Sequence, residues 1–223
     1  MDLFKIEIIS DFAHFKIPLN SKKQRTYKIP PISTVIGILE NIYSNRHEVI
    51  QEEFILGYEF EYDKVYTDIQ RIYKEVNLKE KTYASSYNSE GYQVSDACEI
   101  EYLYNPKLII YTDINKDFIC NQVLNLGKTD CLAKISKVDT VKLEISDTCK
   151  FVGKNQYTPL SIGNGVIKKI SYLTKFNKYG FYDIETINVR ENKEFYSKYA
   201  INEKGIFLWK LTNGGGTINE YIF

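Results

Sequence analysis

The side chains available for chemistry are few, and their spacing is selective. Cys98, Cys120, Cys131 and Cys149 form no C-x-x-C pair, and no matching pair of histidines accompanies them, so no metal site is expected. Gly127-Lys128-Thr129 looks like the end of a phosphate-binding P-loop, but that motif needs a glycine five residues before Gly127, where Gln122 stands. A P-loop also joins a strand to a following helix, whereas here a helix is expected to lead into a strand. ATP is therefore not expected, and no cofactor is implied. Two readings of Gly127 remain. A residue without a side chain lets backbone N–H groups approach a phosphate, with Lys128 as counter-charge, while a left-handed helix cap beside a solvated lysine would use the same residues.

The run from Phe12 to Lys28 is more specific. It contains Lys16, Lys22, Lys23, Arg25 and Lys28 with no acid, and Phe12, Phe15 and Tyr27 lie among the charges. Cations that neutralise phosphates and aromatic faces that stack bases are the requirements of single-stranded RNA binding. A solvated basic loop over core-facing rings has the same composition. His14, one of two histidines, stands beside these cations and has the chemistry of a general base, but spacing supplies no second catalytic group. A non-catalytic protein is expected; were it a ribonuclease, His14 and Tyr27 would move protons and Lys128 would stabilise the phosphorane. Ten of the nineteen tyrosines fall between Tyr58 and Tyr111. Among them Tyr83, Tyr87 and Tyr92 sit in a polar stretch with little core to fill, which suits a partner interface.

The elements that must position these residues follow from periodicity. Phe4, Ile6 and Ile8 alternate with charges in a first strand, Leu3 to Ile9. Pro30-Pro31 ends the basic loop, and Ser33 is placed to cap a helix over residues 34–43. A second helix is expected over 48–56 with Gly57 as its stop, then a strand from Tyr58 to Asp63. Residues 67–104 read as a protruding hairpin turning near Asn88-Ser89-Glu90-Gly91. A strand over 107–112, a helix over 116–125 and a strand over 141–145 complete a β-α-β-β-α-β order. The expected fold is thus α+β: a ferredoxin-like, RRM-like domain over 1–145 with an inserted hairpin arm. A β-rich C-terminal region over 146–223 follows it, with no clear helix and with Gly214-Gly215-Gly216 near its end.

Composition sets wider bounds. The 223 residues carry 29 basic and 29 acidic side chains, which excludes a uniformly basic nucleic-acid coat and a polyacidic tail. The neutrality is a sum of unlike segments. Phe12 to Lys28 has five cations and no acid, Glu40 to Asp63 has seven acids and one cation, and Lys128 to Lys178, which includes Lys134, has ten cations and four acids. No signal-peptide core opens the chain and no apolar run nears the roughly 18 residues that span a bilayer. A cytoplasmic protein with buried, reduced cysteines and no membrane partner is expected.

Several of these residues also carry a family resemblance. Phe12-Ala13-His14-Phe15-Lys16-Ile17-Pro18, Thr26-Tyr27, Pro30-Pro31 and Ser33-Thr34-Val35-Ile36-Gly37-Ile38-Leu39 resemble the opening of the CRISPR-associated Cas-five proteins, members of the RAMP class. Leu126-Gly127-Lys128-Thr129-Asp130-Cys131 looks like that family's second landmark, a leucine-glycine-basic-x-x-cysteine loop. The two bracket the first 145 residues or so. The resemblance implies a prokaryotic subunit of a type I surveillance complex (Cascade), closest to subtype I-B, that holds the 5′ handle of CRISPR RNA and caps the backbone filament. Its implied partners are that RNA, the backbone subunit, the large subunit and, in the assembled complex, target DNA. Handle-binding candidates carried over are Lys16, Arg25, Thr26, Tyr27, Ser33, Gly127 and Lys128; the basic segments add Lys22, Lys23, Lys28 and Lys134. One branch of the family is a metal-independent endoribonuclease using a Tyr, a Lys and a His, the last two adjacent. No such dipeptide occurs here, since Thr129 follows Lys128 and both histidines precede residue 48.

Overall fold

The computed structural model describes residues 2–18, 23–43, 54–75, 93–142, 144–153, 156–158, 166–172, 183–190, 193–200 and 206–211. Strand β1 (Asp2–Ser10) is followed by short β2 (Phe12–Ala13) and β3 (Lys23–Gln24), then by helix α1 (Ile32–Ile42). Next come β4 (Phe54–Glu61), the long β5 (Lys64–Glu75) and β6 (Gln93–Tyr104), and β7 (Lys107–Thr112). A 3₁₀ turn (Lys116–Phe118) precedes β8 (Val123–Asn125) and β9 (Leu132–Lys142). The remaining described strands are β10 (Glu144–Gly153), β11 (Gln156–Thr158), β12 (Val166–Tyr172), β13 (Asp183–Arg190), β14 (Lys193–Ala200) and β15 (Leu208–Leu211).

The main sheet has the order β15-β4-β7-β1-β9-β8, with every neighbouring pair antiparallel. Its inner strands β4-β7-β1-β9 have the ferredoxin-like strand order within an α+β fold, with α1 in the first crossover and the 3₁₀ turn and β8 in the second. Register explains why the alternating sequences make a core. Tyr58, Ile110, Ile6 and Val138 stand in one row across the sheet. Ile6 and Ile110 are fully buried in one cluster with Val35, Leu39 and Ile42 of α1. The hairpin arm is β5 and β6, paired from Lys64↔Tyr104 to Glu75↔Gln93. Tyr83, Tyr87 and Tyr92 lie outside the described residues.

Three local expectations are corrected. Ser33 is not the N-cap of α1: Pro31 is, without a side-chain hydrogen bond. The expected helix over 48–56 ends in β4 instead, residues 48–53 being outside those described. Phe54, Ile55 and Leu56 are buried in succession because β4 is covered on both faces, by the α1 cluster and by Ile206 and Leu208. An unbroken apolar run is then a strand buried on two sides, not a helix. The third is the helix expected over 116–125, replaced by the 3₁₀ turn and β8. Here the backbone N–H groups of Cys120 and Asn121 donate to the Ile42 carbonyl at 2.9 and 3.1 Å, and the Asn121 side chain donates to the Asn41 carbonyl at 2.8 Å. This stretch satisfies the orphan carbonyls at the end of α1 and does not coil on itself. Cys98 and Cys131 are buried as expected, whereas Cys120 is exposed.

The C-terminal strands lean on the same core. The Tyr157 hydroxyl donates to the Ile29 carbonyl at 2.7 Å, the Phe207 N–H donates to Gln156 Oε1 at 2.9 Å, and Phe207 and Trp209 belong to the α1 cluster. Among the described residues no helix is long and apolar enough to cross a membrane. Gly57 is not a helix stop but the point where β15 presses on β4. A Cβ there would lie 2.5 Å from Leu208 Cδ2 and 3.2 Å from the Phe207 carbonyl oxygen. Gly57→Val is expected to destabilise the fold by about 1–3 kcal/mol through overpacking, read as a lower urea midpoint with an unchanged m-value.

Candidate nucleic-acid interface

The two motifs that stood out in sequence meet in space. The His14 N–H donates to the Leu126 carbonyl at 3.1 Å, across more than a hundred residues of chain. Gly127 has φ +90°, and a Cβ on it would overlap the His14 carbonyl group, with Phe15 Cδ1 3.1 Å away. Gly127 is therefore not a helix cap. It lies in the β8–β9 hairpin, closed by Leu126 N–H to Cys131 O at 2.9 Å and Cys131 N–H to Lys128 O at 3.0 Å. Only a residue without Cβ lets this turn press flat on the backbone of the basic loop.

The basic loop is held in an extended form. Tyr27 N–H donates to Phe15 O at 2.8 Å and Ile17 N–H to Arg25 O at 2.9 Å, with Lys16 and Thr26 bridged between them. The buried Thr26 hydroxyl accepts from Phe15 N–H at 2.8 Å and donates to Tyr27 O at 3.0 Å, so its visible work is structural. Tyr27 packs against the core. Glutamates of β6 take two of the cations: Lys23 pairs with Glu99 at 2.8 Å, and Lys28 with Glu101 at 3.6 Å. Lys16 and Arg25 are exposed and have no ion pair among the described residues. Lys22 lies outside them.

Between the loop, the start of α1 and the Gly127 turn lies a cleft of about 500 Å³. Lys16 and Gln24 line it from the loop, Pro31 and Thr34 from α1, and Gly127, Lys128 and Thr129 from the turn, with His14 and Phe15 at the junction. The first turn of α1 has no acidic residue and no side-chain cap, so the positive end of the helix dipole at the cleft is not offset by a local acid. Ser33 is half-buried on that turn and does not line the cleft. Lys23, Arg25, Lys28 and Lys134 do not line it either; Lys134 is exposed on β9 between Ile9 and Val123.

Lys128 is less available than its sequence suggests. Its Nζ donates to Gln70 Oε1 at 2.9 Å, Tyr102 OH at 2.8 Å and Asp130 Oδ2 at 2.8 Å, which uses all three ammonium donors. Burial opposes its charge, but the Asp130 and Tyr102 hydrogen bonds outweigh that and raise its pKa. Burial likewise pushes the Tyr102 hydroxyl up against the pull of Lys128. These bonds tie the turn to both strands of the arm. Gln70, Glu101, Tyr102 and Asp130 were not singled out in sequence, because nothing in the local pattern of β5 or β6 marks which of their polar residues face another element. Burial, with the Asp130 carboxylate, raises the Cys131 thiol to about 12.

His14 is 2% exposed. Its Nδ1 lies 2.6 Å from the Glu101 carbonyl oxygen, which can only accept, so Nδ1 carries the proton. Nε2 is buried with no partner among the described residues. Desolvation lowers its pKa below the ordinary 6.5 despite the Glu101 bond; Lys128 and Lys16 add to the lowering and Asp130 opposes it.

No protein-family model matches the sequence, and no curated protein matches it. Among solved structures, a chain of a "CRISPR RNA-guided surveillance complex" aligns at TM-score 0.50 and 11% identity, covering 87% of this chain and 91% of that one. This chain shares its fold with that one. A CRISPR protein from Archaeoglobus fulgidus aligns at TM-score 0.49 and 12% identity over 95% of this chain and all of that one. A chain of the type III-B Cmr-beta complex bound to cognate target RNA aligns at 0.49 and 14% over 86% of each.

Two predictions follow from the junction. Gly127→Ala, strained by its positive φ and by the His14 carbonyl, is expected to cost about 1–3 kcal/mol, measured by chemical denaturation. Because the folded protein resists protonation of His14, the unfolded chain binds the extra proton as pH falls below 6.5. That stability is full above 6.5 and is lost on acidification through the lower folded value. Thermal unfolding at about pH 7.5 and about pH 5.5 should show a larger drop in Tm for the wild type than for His14→Asn.

Proposed function

We propose that this protein is a non-catalytic RNA-binding subunit of a CRISPR surveillance complex, and that the cleft beside Gly127 receives the 5′ handle of CRISPR RNA. The observation that carries the reading is the contact of the two landmark segments through the His14–Leu126 hydrogen bond. It joins Lys16, the positive end of α1 and the Lys128 turn around one groove. Phosphates would be met by Lys16 and the α1 N-terminus, with Arg25 next along the loop. Lys128 would act through its field and by fixing the turn. The β5–β6 arm would reach the backbone subunit, with Tyr83, Tyr87 and Tyr92 as the contact residues that the sequence suggests, and the protein would help to position the large subunit. Base pairing by the guide would supply target specificity. Resemblance of the landmark residues favours a type I complex, and short loops with a Lys/Ile/Tyr-rich composition are most like subtype I-B.

Reversing charge in the pair Lys16→Glu and Arg25→Glu is expected to weaken binding of a labelled CRISPR-repeat RNA about 10-fold or more at about 0.15 M salt and to flatten its salt dependence. Unchanged affinity with a folded double variant would remove the cleft from the interface.

A second reading, an endoribonuclease that matures the repeat RNA, has one observation in its favour. His14 and Lys128 both lie against Tyr102, with ring centroids 5.7 Å apart and Nζ 2.8 Å from the hydroxyl. Against it, Lys128 has no free donor for a developing phosphorane, because Gln70, Tyr102 and Asp130 take all three. Incubation with repeat RNA in EDTA separates the two readings: intact RNA is expected, and cleavage abolished by His14→Ala would establish the nuclease.

A further inference from the structure

We infer that His14 Nε2 is the acceptor for a ribose 2′-hydroxyl of the RNA strand in this cleft, so that the protein distinguishes RNA from DNA at one nucleotide; this rests on the cleft being the RNA site. The Glu101 carbonyl fixes the imidazole as the Nδ1–H tautomer, leaving a lone pair on Nε2. A phosphate oxygen, itself an acceptor, has nothing to offer that lone pair. The ligand must therefore bring a donor alongside whatever anion engages Lys16. A ribonucleotide does so within one unit: a phosphodiester and, a few atoms away, a hydroxyl.

The lining favours sugar over base. Phe15 is the one aromatic ring besides His14 in the cleft wall, and at 2% exposure it offers no face for stacking. The Phe12 ring, 37% exposed beside Tyr66, Tyr102 and Tyr104, lies outside the cleft wall. Lysine, threonine, glutamine and glycine make up most of the rest, a surface for backbone atoms. Nε2 is covered in the free protein, so the ribose reaches it only by displacing the atoms that cover it. Deoxyribose would leave the acceptor buried and unpaired, which costs more than a hydrogen bond gains.

The test uses the full chain, a fluorescently labelled RNA of the repeat-derived handle, its all-2′-deoxy counterpart and a scan of single 2′-deoxy substitutions. The wild type is expected to bind the RNA about 10-fold more tightly than the deoxy strand, with one position of the scan accounting for most of the difference. His14→Asn keeps a donor for Glu101 and removes the distal acceptor, and should bring the ratio of RNA to deoxy-strand affinity close to one. The scan needs no variant, so a poorly folded His14→Asn does not spare the inference. Equal binding of RNA and deoxy strand, or a scan whose loss is spread evenly or tracks base identity, overturns it. Lys16→Glu then separates the failures: if it still weakens binding, only the His14 assignment falls, and if it does not, the cleft reading falls too. Scission of the RNA at the sensitive ribose would overturn the non-catalytic role given to Nε2.

Discussion

The approach of Gly127 to the His14 carbonyl is the constraint on which the rest of the site depends. Two backbones can lie this close only where one carries no side chain and can take a positive φ. The contact sets the height of the β8–β9 turn above the basic loop, and so the depth of the cleft. It also fixes where Lys128 emerges, and hence which arm residues can take its donors. Ferredoxin-like order makes the approach possible, since β1 leads into the basic loop while β9, its neighbour in the sheet, follows the turn.

Charge is distributed around that junction with some economy. Acids on β6 cancel Lys23 and Lys28 on the side facing the arm, leaving Lys16 and Arg25 exposed. A chain that is neutral in sum therefore presents Lys16 in the cleft and Arg25 beside it as exposed cations without an ion pair among the described residues.

The polar knot of Gln70, Tyr102, Lys128 and Asp130 joins the arm to the turn through five hydrogen bonds, with Asp130 exposed at its edge. The turn and the base of the arm are accordingly held together through Lys128.

Much of this was legible in the residues. Alternation in Leu3–Ile9 and Lys107–Thr112 specified strands because one face of each is buried, and the acid-free run with its double proline marked the loop and helix start. The arm was readable as a polar stretch between strands. Elements whose state depends on distant partners were not. Phe54-Ile55-Leu56 reads equally as helix or strand until Ile206 and Leu208 cover its second face. The helix expected over 116–125 does not form, because Cys120 and Asn121 donate to the end of α1 and Val123–Asn125 pair with β9. The motif Leu126–Cys131 announced itself, yet its glycine was needed for a contact with His14 that local sequence cannot express. Sequence alone settled the fold class, the basic loop and the two landmarks, because local periodicity, charge and backbone permissiveness are encoded within a few residues. Tertiary structure alone decided which cations pair with acids, that Lys128 is tied to the arm, and that a buried histidine keeps one nitrogen unpaired among the described residues, because those depend on partners that folding brings in from 26 to 87 positions away.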